Sequence, residues 1–135
     1  MPPEQQAAPV ESWFPGRLLW IDGGAGTLVG VASALLAPWM SARYAIDLDW
    51  IYFLGGANLA YGAYALTLAF RTSRGRGALY PLIFANFAWS CVCLLMAAKF
   101  WGTASFLGLG HLALEAFFVA ALATSEWRYR TQLAR

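Results

Sequence analysis

Charge is what this sequence has least of. Only 12% of its 135 residues are Asp, Glu, Lys or Arg, against about 25% in an ordinary soluble domain. Lys99 is the only lysine, beside eight arginines. With a net charge of +2 and no basic run long enough to track phosphates, nucleic acid is excluded as a partner. His111 is the only histidine, which rules out a haem held by two His ligands of one chain. Zinc needs three or four convergent ligands, and His111 with Glu115 supplies two, so no metal site is expected. The two cysteines, Cys91 and Cys93, point about 200° apart on a helix. They cannot grip one ion or pair with each other, and both read as small buried apolar residues. No Ser-His-Asp arrangement suggests itself. The run from Asp22 to Thr27 lacks the Lys of a phosphate loop, follows no strand and lies in a hydrophobic stretch. Catalytic residues and cofactors are therefore expected to be absent.

What is abundant is apolar: 60% of the chain, gathered into blocks at about 18–40, 50–70, 78–98 and 103–125. At 1.5 Å per residue, each block covers the roughly 30 Å hydrocarbon core of a bilayer as a helix. Helices are required because an open sheet would leave backbone polar groups unsatisfied in lipid. Little remains outside them. Residues 1–16 carry Pro2, Pro3, Pro9, Pro15, two Glu and no basic residue. The apolar stretch that follows is too long for a secretory signal core, so a short tail and a retained first helix are expected. Residues 17–130 then form one four-helix domain, and 131–135 a second tail.

Basic residues orient it. Arg17, Arg71, Arg74, Arg76, Arg128, Arg130 and Arg135 fall on one side of the spans, and only Arg43 and Lys99 on the other. The positive-inside rule places the rich side in the cytoplasm. Trp13, Trp20, Tyr80, Trp127 and Tyr129 would mark the inner boundary, and Trp39, Trp50, Tyr52 and Trp101 the outer one. Short connections make successive helices antiparallel neighbours. The expected fold is all-α, an integral membrane up-down-up-down bundle with both termini cytoplasmic. The Arg-rich composition, with abundant Ala and Gly, points to a GC-rich bacterial genome and hence to the bacterial inner membrane.

Small residues suggest how the helices pack. Gly23, Gly26, Gly30, Ser33 and Ala37 make one stripe on the first helix, and Gly56, Ala60 and Ala63 offer similar spacing on the second. Such stripes let backbones approach closely in lipid. The turn from Arg71 to Gly77 reads as an orientation signal that also attracts anionic lipid.

Ionisable groups in hydrocarbon cost about 2.5–3.5 kcal/mol each, so each one asks for a reason. The candidates for a ligand or proton site are Glu115, His111, Asn58, Asn86, Asp22 and Tyr61, with Tyr64 and Ser90 as milder company. Glu115 falls near mid-helix, with His111 one turn away on the same face. That pairing can hold, carry or gate a proton. Asn58 and Asn86 read as hydrogen-bond glue between helices. Asp22 lies close enough to the interface to be hydrated or paired with Arg17.

The glycine-rich opening of the first span, the Leu54-Gly55-Gly56-Ala57-Asn58-Leu59-Ala60-Tyr61-Gly62 segment, the Arg71–Arg76 turn and Glu115 in the last span give the chain its family likeness. Over residues 17–130 it resembles the DoxX-like group of small four-helix bacterial membrane proteins. That resemblance implies an accessory subunit, assembly factor or small-ligand binder more than an autonomous enzyme, and it carries no catalytic residue. The leading expectation is thus a non-catalytic accessory protein, or one binding a small ligand or lipid, with a polar intramembrane cluster around His111 and Glu115. Its expected partners are membrane lipids, a partner membrane protein or a second copy. A small proton-coupled transporter, dimeric through the glycine stripe and using Glu115, is the rival. An enzyme acting on a membrane lipid comes third.

Overall fold

The computed structural model describes residues 13–134. They form α1 (Trp13–Tyr44), α2 (Leu48–Phe70), α3 (Arg76–Lys99), α4 (Phe106–Arg128) and the single turn α5 (Arg130–Leu133), with no strand among the described residues. Phe14–Leu35, Leu48–Phe70, Arg76–Lys99 and Phe106–Arg128 are each long and apolar enough to cross a membrane. The chain is a multi-pass membrane helix bundle. Its outward faces carry Leu35, Phe106, Leu114 and Phe117 well exposed. Asp22, Asn58, Asn86 and Glu126 are buried. Apolar outside and partly polar inside is the distribution lipid favours.

The helix ends depart from the expected blocks for local reasons. α1 is longer than 18–40 because Pro15 falls in its first turn, where no intrahelical N–H is lost, and the helix runs on through Pro38. Its start at Trp13 takes in residues expected in the tail, while residues 1–12 lie outside the described part. α4 spans 106–128, not 103–125. Thr103 and Ala104 fold back on the Phe100 carbonyl at 3.0 and 2.8 Å, and the Ser105 hydroxyl accepts from the Gly108 N–H at 3.2 Å as the N-cap. The shift draws Glu126 inside the helix. Nor are residues 131–134, the described part of the expected second tail, simply a tail: Leu133 is 2% exposed and packs in the core with Leu79, Leu82 and Leu122.

α1 stops at a left-handed residue. Ala45 has φ +52°, and the Ile46 N–H reaches the Ser41 carbonyl at 3.3 Å, the 6→1 bond of a Schellman cap. An alanine held left-handed carries about 1 kcal/mol of strain that glycine lacks. Ala45→Gly is therefore expected to raise stability by up to about 1 kcal/mol, read as an upward shift in denaturation midpoint in detergent. At the end of α2, Arg74 donates to the Leu68 and Ala69 carbonyls at 2.6 and 3.0 Å. One arginine of the basic turn is thus a helix cap.

The closest packing joins α1 to α2. A Cβ on Gly62 would lie 2.5 Å from both the backbone N and the hydroxyl of Thr27, and one on Gly30 would lie 2.7 Å from the Leu59 backbone N. Gly26 and Gly55 sit against the facing backbone as well, while Gly56 has open space. The stripe that α2 presents is Gly55, Asn58, Leu59 and Gly62, not Gly56, Ala60 and Ala63. Because α2 covers the α1 glycines, that stripe is not available as a surface for a second copy. α3 packs mainly on α4, and the α1–α2 and α3–α4 hairpins meet less intimately.

Aromatic pairs tie the bundle at both ends. At one, the Tyr129 end, Phe14 meets Tyr129 at 5.8 Å, Trp20 meets Phe70 at 4.6 Å and Tyr80 meets Trp127 at 5.9 Å. At the other, the Tyr44 end, Trp50 meets Phe100 at 5.7 Å, and the Ser105 N–H donates to the Tyr44 carbonyl at 2.8 Å. Each end has its own apolar core, around Leu18, Leu79 and Leu82 at the first and Ile51, Leu54 and Leu112 at the second.

Candidate functional site

The polar residues gather into two clusters, each drawing on all four long helices. The first centres on Glu115 of α4, whose side chain is 8% exposed. One carboxylate oxygen accepts from the Asn58 amide and from the Trp89 indole N–H, both at 2.7 Å. The other lies 2.9 Å from His111 Nε2. His111 Nδ1 in turn lies 3.1 Å from the Tyr44 hydroxyl at the end of α1. A neutral imidazole with its proton on Nε2 satisfies both contacts, donating to Glu115 and accepting from Tyr44. Three N–H donors then converge on one carboxyl, a set suited to a carboxylate. Asn58 is fixed by a second bond, to the Leu54 carbonyl at 3.0 Å.

The second cluster lies toward the Tyr129 end. The Asn86 amide nitrogen is 3.1 Å from a carboxyl oxygen of Asp22 and 3.1 Å from one of Glu126. The Tyr61 hydroxyl donates to Asp22. Asp22, Asn86 and Glu126 are 2%, 1% and 0% exposed, and the second carboxyl oxygen of Glu126 is buried without a partner among the described residues. Asp22 is thus buried inside the bundle rather than superficial. Burial and two donors hold it.

A cavity of about 200 Å³ joins the clusters. Asn58, Trp89 and Glu115 line it at one end, Asp22, Tyr61 and Asn86 at the other, and aliphatic and aromatic groups such as Val29, Phe118 and Val119 between them. A groove lined by Val29, His111, Leu114, Glu115 and Phe118 adjoins it on the α1–α4 side. Val29, Glu115 and Phe118 border both spaces. Leu114 and Phe118, at 73% and 46% exposure, stand on the surface beside them.

Asp22, Asn58, Tyr61, Asn86, His111 and Glu115 each belong to one cluster or the other, but they do not form a single group, and Tyr64 and Ser90 donate instead to the Ala78 and Ala116 carbonyls. Asn58 joins His111 and Glu115, whereas Asn86 and Tyr61 join Asp22. Three participants escape a reading of the sequence. Trp89 carries a signal in hindsight, since it falls mid-span while the other tryptophans lie toward boundaries. Glu126 lies eleven residues after Glu115, about three turns on and hence on nearly the same face. Tyr44 carries no signal, because only the fold brings it to His111. Cys91 is exposed rather than buried, and Cys93 is buried.

Neither a family model, nor a curated protein, nor a solved structure matches this chain.

Proposed function

We propose that the chain is a non-catalytic small-ligand-binding protein of the bacterial inner membrane. In this reading it is an up-down-up-down bundle with both termini in the cytoplasm, in the manner of the DoxX-like group that it resembles. The Tyr129 end is then cytoplasmic and the Glu115 cluster lies in the outer half. The observation that carries the reading is the cavity. Its volume, about 200 Å³, exceeds the roughly 150 Å³ of an apolar cavity that admits benzene. It has room for one ring-sized group, with hydrogen-bonding side chains at its two ends and apolar walls between. The adjoining groove past Phe118 gives an attached tail a way out to lipid. The ligand class is an amphipathic molecule with a small oxygen-bearing ring or headgroup and an alkyl tail, such as a quinone-like compound or a lipid.

Native mass spectrometry of protein released gently from membranes tests this. The expected result is a stoichiometric small molecule on the wild-type chain. Removing the Glu115 charge while keeping its shape weakens one set of polar contacts by about 1.5–3 kcal/mol. Glu115→Gln is therefore expected to bind the same molecule at least tenfold more weakly. A ligand-free wild type whose associations in the membrane are unchanged by Glu115→Gln overturns the reading.

A second reading, proton-coupled transport, has one specific observation in its favour: titratable groups stand at both ends of one cavity, Glu115 at one and Asp22 with Tyr61 at the other. It requires pH-driven flux in liposomes that Glu115→Gln abolishes. A dimer on the α1 glycine stripe forms no part of it, because α2 covers that stripe.

A further inference from the structure

Asp22 and Glu126 sit on one amide nitrogen, each at 3.1 Å from Asn86 Nδ2, and both are shut away from the surface at 2% and 0% exposure. Two ionised carboxylates in that arrangement would repel each other in a medium that screens poorly. An Asn amide carries no charge to offset them. The groups facing the pair come from every helix around it: Tyr61 from α2, Asn86 from α3, and the pair's own members from α1 and α4. Arg17, also on α1, has its side chain on the exposed surface. Glu126 in addition keeps one oxygen buried with no partner among the described residues. An ionised oxygen so placed has no donor to offset its charge, which costs more than leaving the neutral oxygen of a protonated carboxyl there.

We propose that Asp22 and Glu126, clasped by Asn86 and Tyr61, form a proton-binding site separate from the Glu115 cluster, which holds one proton between its two carboxyls. The proton is bound as a carboxylic acid O–H, leaving the pair with a single negative charge. Asp22 and Tyr61 also line the cavity, so the site faces the space a ligand would fill. The single negative charge left on the pair is what that ligand meets at that end. This assignment rests on the buried pair and does not depend on what occupies the cavity.

Infrared spectroscopy of the protein in lipid vesicles at neutral pH tests it. The expected spectrum has the carbonyl band of a protonated carboxylic acid, shifted on exchange into deuterated water. That band is lost in Glu126→Gln, altered in Asp22→Asn and retained in Glu115→Gln. Isotope labelling of glutamate or aspartate carboxyl carbons in the wild type assigns the band without altering the fold, should a variant fail to assemble. Absence of any protonated-carboxyl band, or loss of the band in Glu115→Gln alone, overturns the proposal. So does a band that neither label moves.

Discussion

Gly62→Val is expected to separate α1 from α2 and to destabilise the bundle by about 3 kcal/mol or more, the upper range for forcing extra atoms into a packed contact. The first added carbon would lie 2.5 Å from the backbone N of Thr27 and 3.0 Å from the carbonyl carbon of Gly26. Those are main-chain atoms of the facing helix, so no rotamer change relieves the overlap and the helices must part. In lipid no hydrophobic gain drives helices together, and close backbone packing carries much of the association. Such a loss is a large share of the roughly 5–15 kcal/mol that holds a native protein together. Gly24→Ala supplies the contrast. Its Cβ would meet nothing within 4 Å, and alanine is the better helix former by about 1 kcal/mol. A reversible unfolding titration in mixed micelles should show Gly62→Val far below wild type and Gly24→Ala at or above it. Similar midpoints for the two variants would remove the α1–α2 seam as the main source of cohesion.

Asn86→Leu is the second large effect, and it acts through electrostatics. One amide nitrogen donates toward both Asp22 and Glu126, and leucine of similar size leaves both buried carboxyls without that donor. Stripping a partner from a buried charge destabilises by about 3–5 kcal/mol. The same titration should register about 3 kcal/mol for Asn86→Leu. In a Glu126→Gln background the second carboxyl is gone, so Asn86→Leu is expected to lose at least about 1 kcal/mol less there. Equal losses in the two backgrounds would mean that Asn86 stabilises by packing alone.

These effects show where a sequence stops being readable. The spans were legible because lipid imposes one rule on every helix: it must be apolar for about 20 residues and satisfy its own backbone. Asp22 and Glu115 stood out for the same reason, since a carboxyl inside such a stretch is costly wherever it points. Which donor each one meets follows a different rule. It depends on how far each helix is rotated and how deep it sits beside its neighbours. Asn58 and Asn86 are alike in the sequence, yet Asn58 donates to Glu115 and Asn86 to Asp22 and Glu126. The α2 stripe packs through Gly55, one position from the Gly56 that spacing alone suggests, and one residue turns a helix by 100°. That turn separates a packed glycine from an open one.

By itself the sequence determined that this is a multi-pass membrane protein of four long helices, and that side chains such as Asp22 and Glu115 are too polar for lipid. Those properties depend on composition and local period alone, which need no neighbour to define them. Tertiary structure decided the rest: that α2 takes up the α1 glycines, that the polar residues divide into a Glu115 cluster and an Asp22–Glu126 pair, and that a cavity joins the two. Each of these depends on contacts between residues far apart in the chain, such as the 64 positions from Asp22 to Asn86. Only the docking of one helix on another sets such a distance.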